Sequence, residues 1–201
     1  MTASPAVGRP DSARDRALLD AAAAGELMAV RRLLASGAPP SVRDPEGRTA
    51  LMVATVHGHE RVAELLLDRG ANVNAGDDEG VTALMVAARD GEVPLVQHFL
   101  DRGAVVDART REGWTALTYA ARKGHPDVAR RLLRAGADPT LTDRSGWSAL
   151  MYATWRAAES TPAERSATAD TLHMKDLASV DVARRRYGEL VSLLSGAAKR
   201  R

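Results

Sequence analysis

Short apolar stretches alternate with polar turns along this chain, and the alternation recurs at a fixed interval. The segment Gly47-Arg-Thr-Ala-Leu-Met-Val-Ala54 has close counterparts that begin at Gly80, Gly113 and Gly146. Each of these glycines lies 33 residues after the one before it. A period of this size indicates a repeat protein, in which one small motif stacks on the next and buries a continuous core.

The start of each unit predicts a short helix. Thr49 stands where a helix N-cap is expected, and Leu51 and Ala54 are three residues apart, so they share one helical face. Gly58 follows where a left-handed residue is needed to end the helix. The N-cap position carries a hydroxyl in every later unit, at Thr82, Thr115 and Ser148.

The remainder of each unit predicts a second helix and a loop. Val62 and Leu66 have the spacing of an apolar stripe, and Gly70 ends the helix that carries them. A loop of small and polar residues, 72–79, then leads to the next unit. The pattern therefore predicts loop, helix, turn and helix in each repeat.

The 33-residue period, the helix pair and the Thr-x-Leu-x-x-Ala signature resemble the ankyrin repeat over roughly residues 13–156. The resemblance implies an all-α ankyrin-repeat solenoid of stacked helix-turn-helix units with loop or β-hairpin fingers. Two positions depart from the family's pattern. Alanine replaces the usual proline after the Thr, and the usual histidine after the Leu is replaced by Met52, Met85, Thr118 and Met151.

The register divides the chain into units. We expect residues 1–12 to be a disordered N-terminal segment and 13–46 to be an N-terminal capping repeat. Full repeats are expected at 47–79, 80–112 and 113–145. Residues 146–201 are expected to form a C-terminal ankyrin-like repeat.

An insertion of about 27 residues is expected to interrupt this last repeat, because its closing Gly-Ala pair recurs only at Gly196-Ala197. The insertion is predicted over 157–180, with a helix that starts near Pro162 and an N-cap at Ser179. The delayed second helix is predicted from the apolar spacing of Tyr187, Leu190, Val191 and Leu194.

Composition excludes several classes of function. The net charge is only +2, which opposes a strong attraction to nucleic acid or to an anionic membrane. The chain has no Cys, which excludes disulfides and Cys-based zinc sites. No secretory signal or membrane-spanning apolar run is found, so we expect a cytoplasmic protein.

Catalytic and metal-binding patterns are weak. His57 and His59 could suggest a metal site, but His59 shares its repeat position with His125, where the family commonly has His for packing. Gly146-Trp-Ser148 lacks the second glycine of a nucleophile elbow, and Ser148 is better explained as an N-cap. We therefore expect no catalytic residue, no bound metal and no cofactor.

The resemblance implies a non-catalytic protein-protein interaction module that binds its partner through the concave face of the stack. Trp114 and Trp147 follow the repeat glycine, in the fingers, and Trp155 lies near the end of a first helix. We expect these aromatic residues to be flanked by cations, a mixture typical of binding hot spots. The candidate partner-binding residues are Trp114, Trp147, Trp155, Tyr119, Tyr152, Arg89, Arg111, Arg122, Lys123 and Arg144.

The expected partner is another protein with an acidic or aromatic segment, bound by a monomer. An alternative is an accessory regulator or chaperone-like partner of a stress-response enzyme. Binding to nucleic acid is a different hypothesis, which the near-neutral charge opposes.

Overall fold

A computed structural model describes residues 13–159 and 174–200 of the chain. Within these ranges the chain folds into helices joined by turns and loops, an all-α repeat solenoid. The helices are α1 (Ala13–Ala23), α2 (Leu27–Ala35), α3 (Ala50–Val56), α4 (Glu60–Asp68), α5 (Ala83–Asp90), α6 (Val93–Asp101), α7 (Ala116–Lys123), α8 (Pro126–Arg134), α9 (Ala149–Glu159) and α10 (Met174–Ala198).

Two rows of helices build the stack. The first helices of the units, α1, α3, α5, α7 and α9, pack one on the next, and so do the second helices, α2, α4, α6, α8 and α10. The core between the rows consists mainly of Leu, Val and Ala. Among the described residues, its buried aromatic side chains are Phe99 and Tyr187. Small alanines let the helices approach closely, so the chain builds a core with few aromatic side chains.

Local chemistry explains where the first helices begin and end. The Thr82 hydroxyl accepts a hydrogen bond from the N–H of Met85 at 3.4 Å, and Thr49 and Thr115 cap α3 and α7 in the same way. Gly91 ends α5 with a φ of 81°, a left-handed conformation that favours glycine. The predicted N-caps and glycine turns are therefore confirmed for these helices.

The loops before the first helices form fingers held by aspartate side chains. Asp77 Oδ1 accepts hydrogen bonds from the N–H groups of Glu79 and Val81, at 2.9 and 2.8 Å. Asp44 and Asp143 form the same turn. Pairing across a finger is limited to isolated bridges in the described residues: Arg43 with Thr49, Gly76 with Thr82, and Thr142 with Ser148.

The last unit joins the stack through a long helix. α10 has 25 residues, whereas α8 has nine. Tyr187, Leu190 and Leu194 are buried and lie 62 residues after His125, Val128 and Leu132, their counterparts in α8. That offset is one period of 33 plus 29 residues, which is close to the expected insertion.

Two sequence expectations fail within α10. Gly196 lies inside the helix, so the Gly-Ala pair does not end it, and Ser179 also lies inside the helix rather than at its N-cap. Residues 1–12 and the helix predicted near Pro162 lie outside the described residues. In the described part of the chain, no helix combines the length and the apolar character that a membrane crossing requires.

A candidate protein-interaction surface

Five of the seven aromatic residues form one continuous row, which we call the aromatic ladder. Trp114 lies 5.0 Å from Tyr119 and 5.2 Å from Tyr152, measured between ring centroids. Trp147 lies 5.1 Å from Tyr152 and 6.1 Å from Trp155, which it meets edge to face. The two finger tryptophans therefore share one surface, with Tyr152 between them.

The fingers and first helices position the rings of the ladder. The backbone N–H of Trp114 donates to the Thr110 hydroxyl at 3.1 Å, and that of Trp147 donates to Asp143 Oδ1 at 3.0 Å. Tyr119 projects from α7 and Tyr152 from α9. Because neighbouring repeats stack at one period, a finger ring of one unit meets a helix ring of the next.

A buried carboxylate, that of Asp143, holds the central ring of the ladder, Tyr152. The Tyr152 hydroxyl donates to Asp143 Oδ2 at 2.6 Å. Burial of Asp143 opposes its charged form, but hydrogen bonds from Tyr152 and from the N–H groups of Trp147 and Ser145 outweigh it, so its pKa is lowered. Burial and the bond to Asp143 raise the pKa of Tyr152 to about 12.

Exposure increases towards the C-terminal end of the ladder. Trp147 is 36% exposed and Trp155 is 42% exposed. Trp114, Tyr119 and Tyr152 are half-buried, and burial raises the pKa of Tyr119. The ladder therefore consists of three half-buried rings and two tryptophans that face solvent.

The cations predicted beside the aromatic residues fall into two groups. Arg122 lies over the ring of Trp114, with its guanidinium carbon 4.8 Å from the centroid, and Lys123 is exposed at the end of α7. The other three pair with acidic residues: Arg89 with Asp90, Arg111 with Glu79, and Arg144 with Glu112. The flanking positive charge is thus smaller than the sequence predicts.

Sequence reasoning missed one cation and the acidic rim of the surface. The Arg156 guanidinium carbon lies 5.8 Å from the ring centroids of both Trp155 and Tyr187. An open groove of about 380 Å³ lies beside Trp114. Its lining residues are Glu79, Val81, Thr110, Glu112, Trp114, Tyr119 and Arg122. The finger glutamates could have been found, because Glu46, Glu79 and Glu112 recur at the repeat period.

His59 and His125, which share one repeat position, each contact the preceding repeat through a ring nitrogen. His59 Nε2 lies 2.9 Å from the carbonyl oxygen of Ala23, and His125 Nε2 lies 3.0 Å from that of Arg89. Across the described residues, no group of three or more His, Asp or Glu side chains is arranged to hold a metal ion. His59 and His125 therefore act in the packing of one unit on the next.

Comparison with known protein families agrees with the repeat pattern. A family model described as ankyrin repeats, in three copies, matches residues 18–110, 75–143 and 91–161. These matches overlap and together extend over most of the chain. A comparison with curated proteins returned no match.

Proposed function

This chain belongs to the ankyrin-repeat family, and on that premise we propose that it binds another protein through the aromatic ladder. Ankyrin repeats generally mediate protein-protein interaction and are typically not enzymes. The narrower proposal concerns which residues bind and what they recognise. Fingers and first helices of the last two repeats would form the contact surface.

The exposure of Trp147 and Trp155 is the observation that carries this proposal. A core built from Leu and Ala has little need of tryptophan, yet two of the three tryptophans face solvent. Tryptophan is enriched among the residues that dominate binding energy, and large exposed apolar side chains that lie together mark contact sites. Both rings are held in place by neighbours, so little side-chain entropy would be lost on binding.

The charges around the ladder favour a partner with an aromatic or apolar segment. Glu79 and Glu112 line the groove beside Trp114, and their ion pairs with Arg111 and Arg144 leave these fingers without an excess of positive charge to attract a strongly acidic segment. Arg122 and Lys123 could bind a single carboxylate of the partner, next to its aromatic or apolar segment. We therefore propose that the partner places an aromatic side chain beside Trp114 and carries at most a few acidic residues next to it.

Affinity measurements with single variants test the proposal. Partners would be captured with the full chain, identified by mass spectrometry and purified. Binding of each partner would then be measured by calorimetry against the wild-type chain, Trp147→Ala and Trp155→Ala. We expect each truncation to cost about 2–4 kcal/mol of binding free energy, because a hot-spot tryptophan contributes that much.

Met28→Ala is the matched control, since Met28 is an exposed apolar residue on α2, far along the stack from the ladder. It should leave affinity unchanged. Thermal unfolding of each variant separates a loss of contact from a loss of fold. Unchanged affinity in both tryptophan variants would contradict the proposed surface. The identity of the partner also decides whether the protein is an accessory regulator of an enzyme.

A further inference from the structure

One hollow beside the second helices is lined by arginines. It has a volume of about 290 Å³ and lies where α8 packs on α6. Arg130, Arg131 and Arg134 line it together with Asp127 and Val93. The three arginines are one, three or four residues apart on α8, so they share one side of the helix. We call them the arginine patch.

The acidic groups beside the patch pair with only one of its arginines. Asp127 and Glu189 both bind the first of the three, Asp127 at 2.6 Å. Arg131 donates to the amide oxygen of Gln97 at 2.6 Å, and Gln97 carries no charge. Arg134 is exposed and, among the described residues, makes no hydrogen bond or ion pair. Within the described part of the chain, the last two arginines of the patch are therefore not paired with a carboxylate.

The sign of the charge on the second helices changes at α8. Asp68 of α4 and Asp101 of α6 occupy the repeat position of Arg134, two periods and one period before it. The whole chain follows the same trend. Residues 1–112 have 13 basic and 17 acidic side chains, whereas residues 113–201 have 15 basic and nine acidic ones. The small net charge of the chain thus conceals a positive C-terminal part.

We propose that the arginine patch binds an acidic segment of a partner protein. A guanidinium presents its N–H groups in a planar fork that matches a carboxylate, and such bonds are stronger than those between neutral groups. Arg131 and Arg134 are about 5–6 Å apart at Cβ, close to the spacing of alternate residues in an extended segment. Two carboxylates of one short segment can therefore reach both arginines. Charge complementarity fixes the class of partner.

The extent of the patch favours a short acidic segment over a nucleic acid. α8 has nine residues and is about 13 Å long. Asp68 and Asp101 continue the row of second helices on one side, where they would repel a regularly charged phosphate backbone that ran past α8. An acidic peptide can place its charges within the length of one helix.

This surface is separate from the aromatic ladder. The ladder belongs to fingers and first helices, whereas the patch belongs to a second helix. Cations for an acidic partner were expected beside the aromatic residues, but Arg111 and Arg144 pair with glutamates there. The arginines of α8 offer positive charge at a different place, so the proposal does not rest on the ladder.

Fluorescence anisotropy of a labelled hexaglutamate peptide with the full chain tests the proposal. We expect saturable binding that weakens as salt is raised from about 50 to about 300 mM, because salt screens exposed charges. Arg134→Gln should weaken binding about threefold, and the Arg131→Gln, Arg134→Gln double variant about tenfold, since each exposed ion pair contributes modestly. Thermal unfolding of each variant checks the fold, and Arg134→Gln removes no hydrogen bond or ion pair within the described residues.

The Arg31→Gln, Arg32→Gln double variant is the matched control. Arg31 and Arg32 are exposed on α2, three periods before Arg130 and Arg131, and their replacement removes the same number of positive charges. This variant should bind the peptide as the wild type does. Failure of the wild-type chain to bind, or equal losses in the two double variants, would overturn the proposal, because equal losses would reflect net charge alone.

Two further measurements separate the alternatives. A labelled single-stranded oligonucleotide of equal charge should bind more weakly than hexaglutamate; tighter binding through the same arginines would assign the patch to nucleic acid and overturn the proposal. Trp147→Ala should leave the affinity for hexaglutamate unchanged, because the peptide has no aromatic residue and the patch is not part of the ladder. A loss of hexaglutamate binding in Trp147→Ala would place the peptide at the ladder and contradict the patch. The result is thus distinguishable from the outcome of partner binding at the ladder.

Discussion

Tyr152 and Asp143 couple the last finger to the first helix that follows it. The Asp143 carboxylate accepts bonds from the Tyr152 hydroxyl and from two backbone N–H groups of the finger. The same aspartate turn occurs at Asp44 and Asp77, but Thr110 takes this place in the unit between. In each finger, the residue at this position therefore accepts a hydrogen bond from the backbone N–H of the tryptophan, or of the residue equivalent to it, and holds it in place.

Removal of the Tyr152 hydroxyl should lower stability modestly. A hydrogen bond to a charged acceptor contributes roughly 1.5–3 kcal/mol, and less where water screens it. We expect Tyr152→Phe to lower the free energy of unfolding by about 1 kcal/mol in urea titrations at neutral pH. Tyr119→Phe is the control, because the Tyr119 hydroxyl makes no hydrogen bond within the described residues.

The effect of Tyr152→Phe should depend on pH at both extremes. The pKa of Asp143 is lowered in the folded protein, so its stabilisation is present above its unfolded pKa and fades as pH falls through the folded pKa. The pKa of Tyr152 is raised to about 12, so its stabilisation is complete below its ordinary pKa and fades as pH rises through the folded value. A difference between the two proteins that persists unchanged into strong acid would contradict this coupling.

Three of the turns between the two helices of a unit, those at Gly25, Gly91 and Gly124, are each linked to the following unit by one side chain. His59 reaches back to the turn at Gly25, His125 to Gly91, and Tyr187 to Gly124, where its hydroxyl donates to the Arg122 carbonyl at 2.9 Å. Tyr187 thus does in α10 what the histidines do in earlier units. Its burial against Gly124 explains how a helix after a long insertion keeps the repeat contact.

Alanine substitutions at equivalent glycines should separate this contact from backbone strain. Gly58 and Gly124 both have positive φ, 69° and 78°, but a Cβ at Gly58 would meet nothing within 4 Å. At Gly124 it would lie 2.9 Å from the Tyr187 ring. We expect Gly58→Ala to cost about 1–2 kcal/mol from left-handed strain alone, and Gly124→Ala to cost more. Urea unfolding measures both, and equal losses would show that Tyr187 does not hold the turn.

The whole stack is built from contacts between neighbouring units. Arg111 N–H donates to the Glu79 carbonyl at 2.8 Å, and Arg144 N–H donates to the Glu112 carbonyl at 2.9 Å, so fingers also join at the repeat period. A protein of this kind has a stability close to the sum of its units and their interfaces. Removal of one internal period should therefore leave a shorter version of the same stack.

Deletion of residues 47–79 tests this modularity. It removes one period, and Gly80 then takes the place of Gly47 while α5 takes the place of α3 against α1. We expect a folded helical protein by circular dichroism, with a lower unfolding midpoint because one unit and one interface are lost. A deletion of 47–62 is the control, since it breaks the register and removes α3 without placing another first helix in line against α1, so it should lower the unfolding midpoint more than removal of the full period does. A chain that loses all helical signal on removal of the full period would contradict the solenoid's modular energetics.

The sequence by itself was sufficient for the repeat architecture. The 33-residue period, the Thr N-caps and the turn glycines act within a few residues, and local hydrogen bonds and allowed backbone angles decide them. The apolar spacing of Tyr187, Leu190 and Leu194 also predicted the delayed second helix, because burial of one helical face leaves a periodic pattern. The aromatic residues of the candidate surface could be grouped from the same period.

Tertiary structure alone decided which side chains are exposed and which charges are available. Met85 and Met151 occupy the same position of the repeat, and an Ala-Leu pair precedes each of them, but Met85 is buried and Met151 is exposed. Arg111 and Arg144 were expected to flank the aromatic residues, yet glutamates of the preceding fingers pair with them. Exposure and ion pairing depend on atoms of the neighbouring unit, about one period away along the chain, and a local pattern carries no information about them.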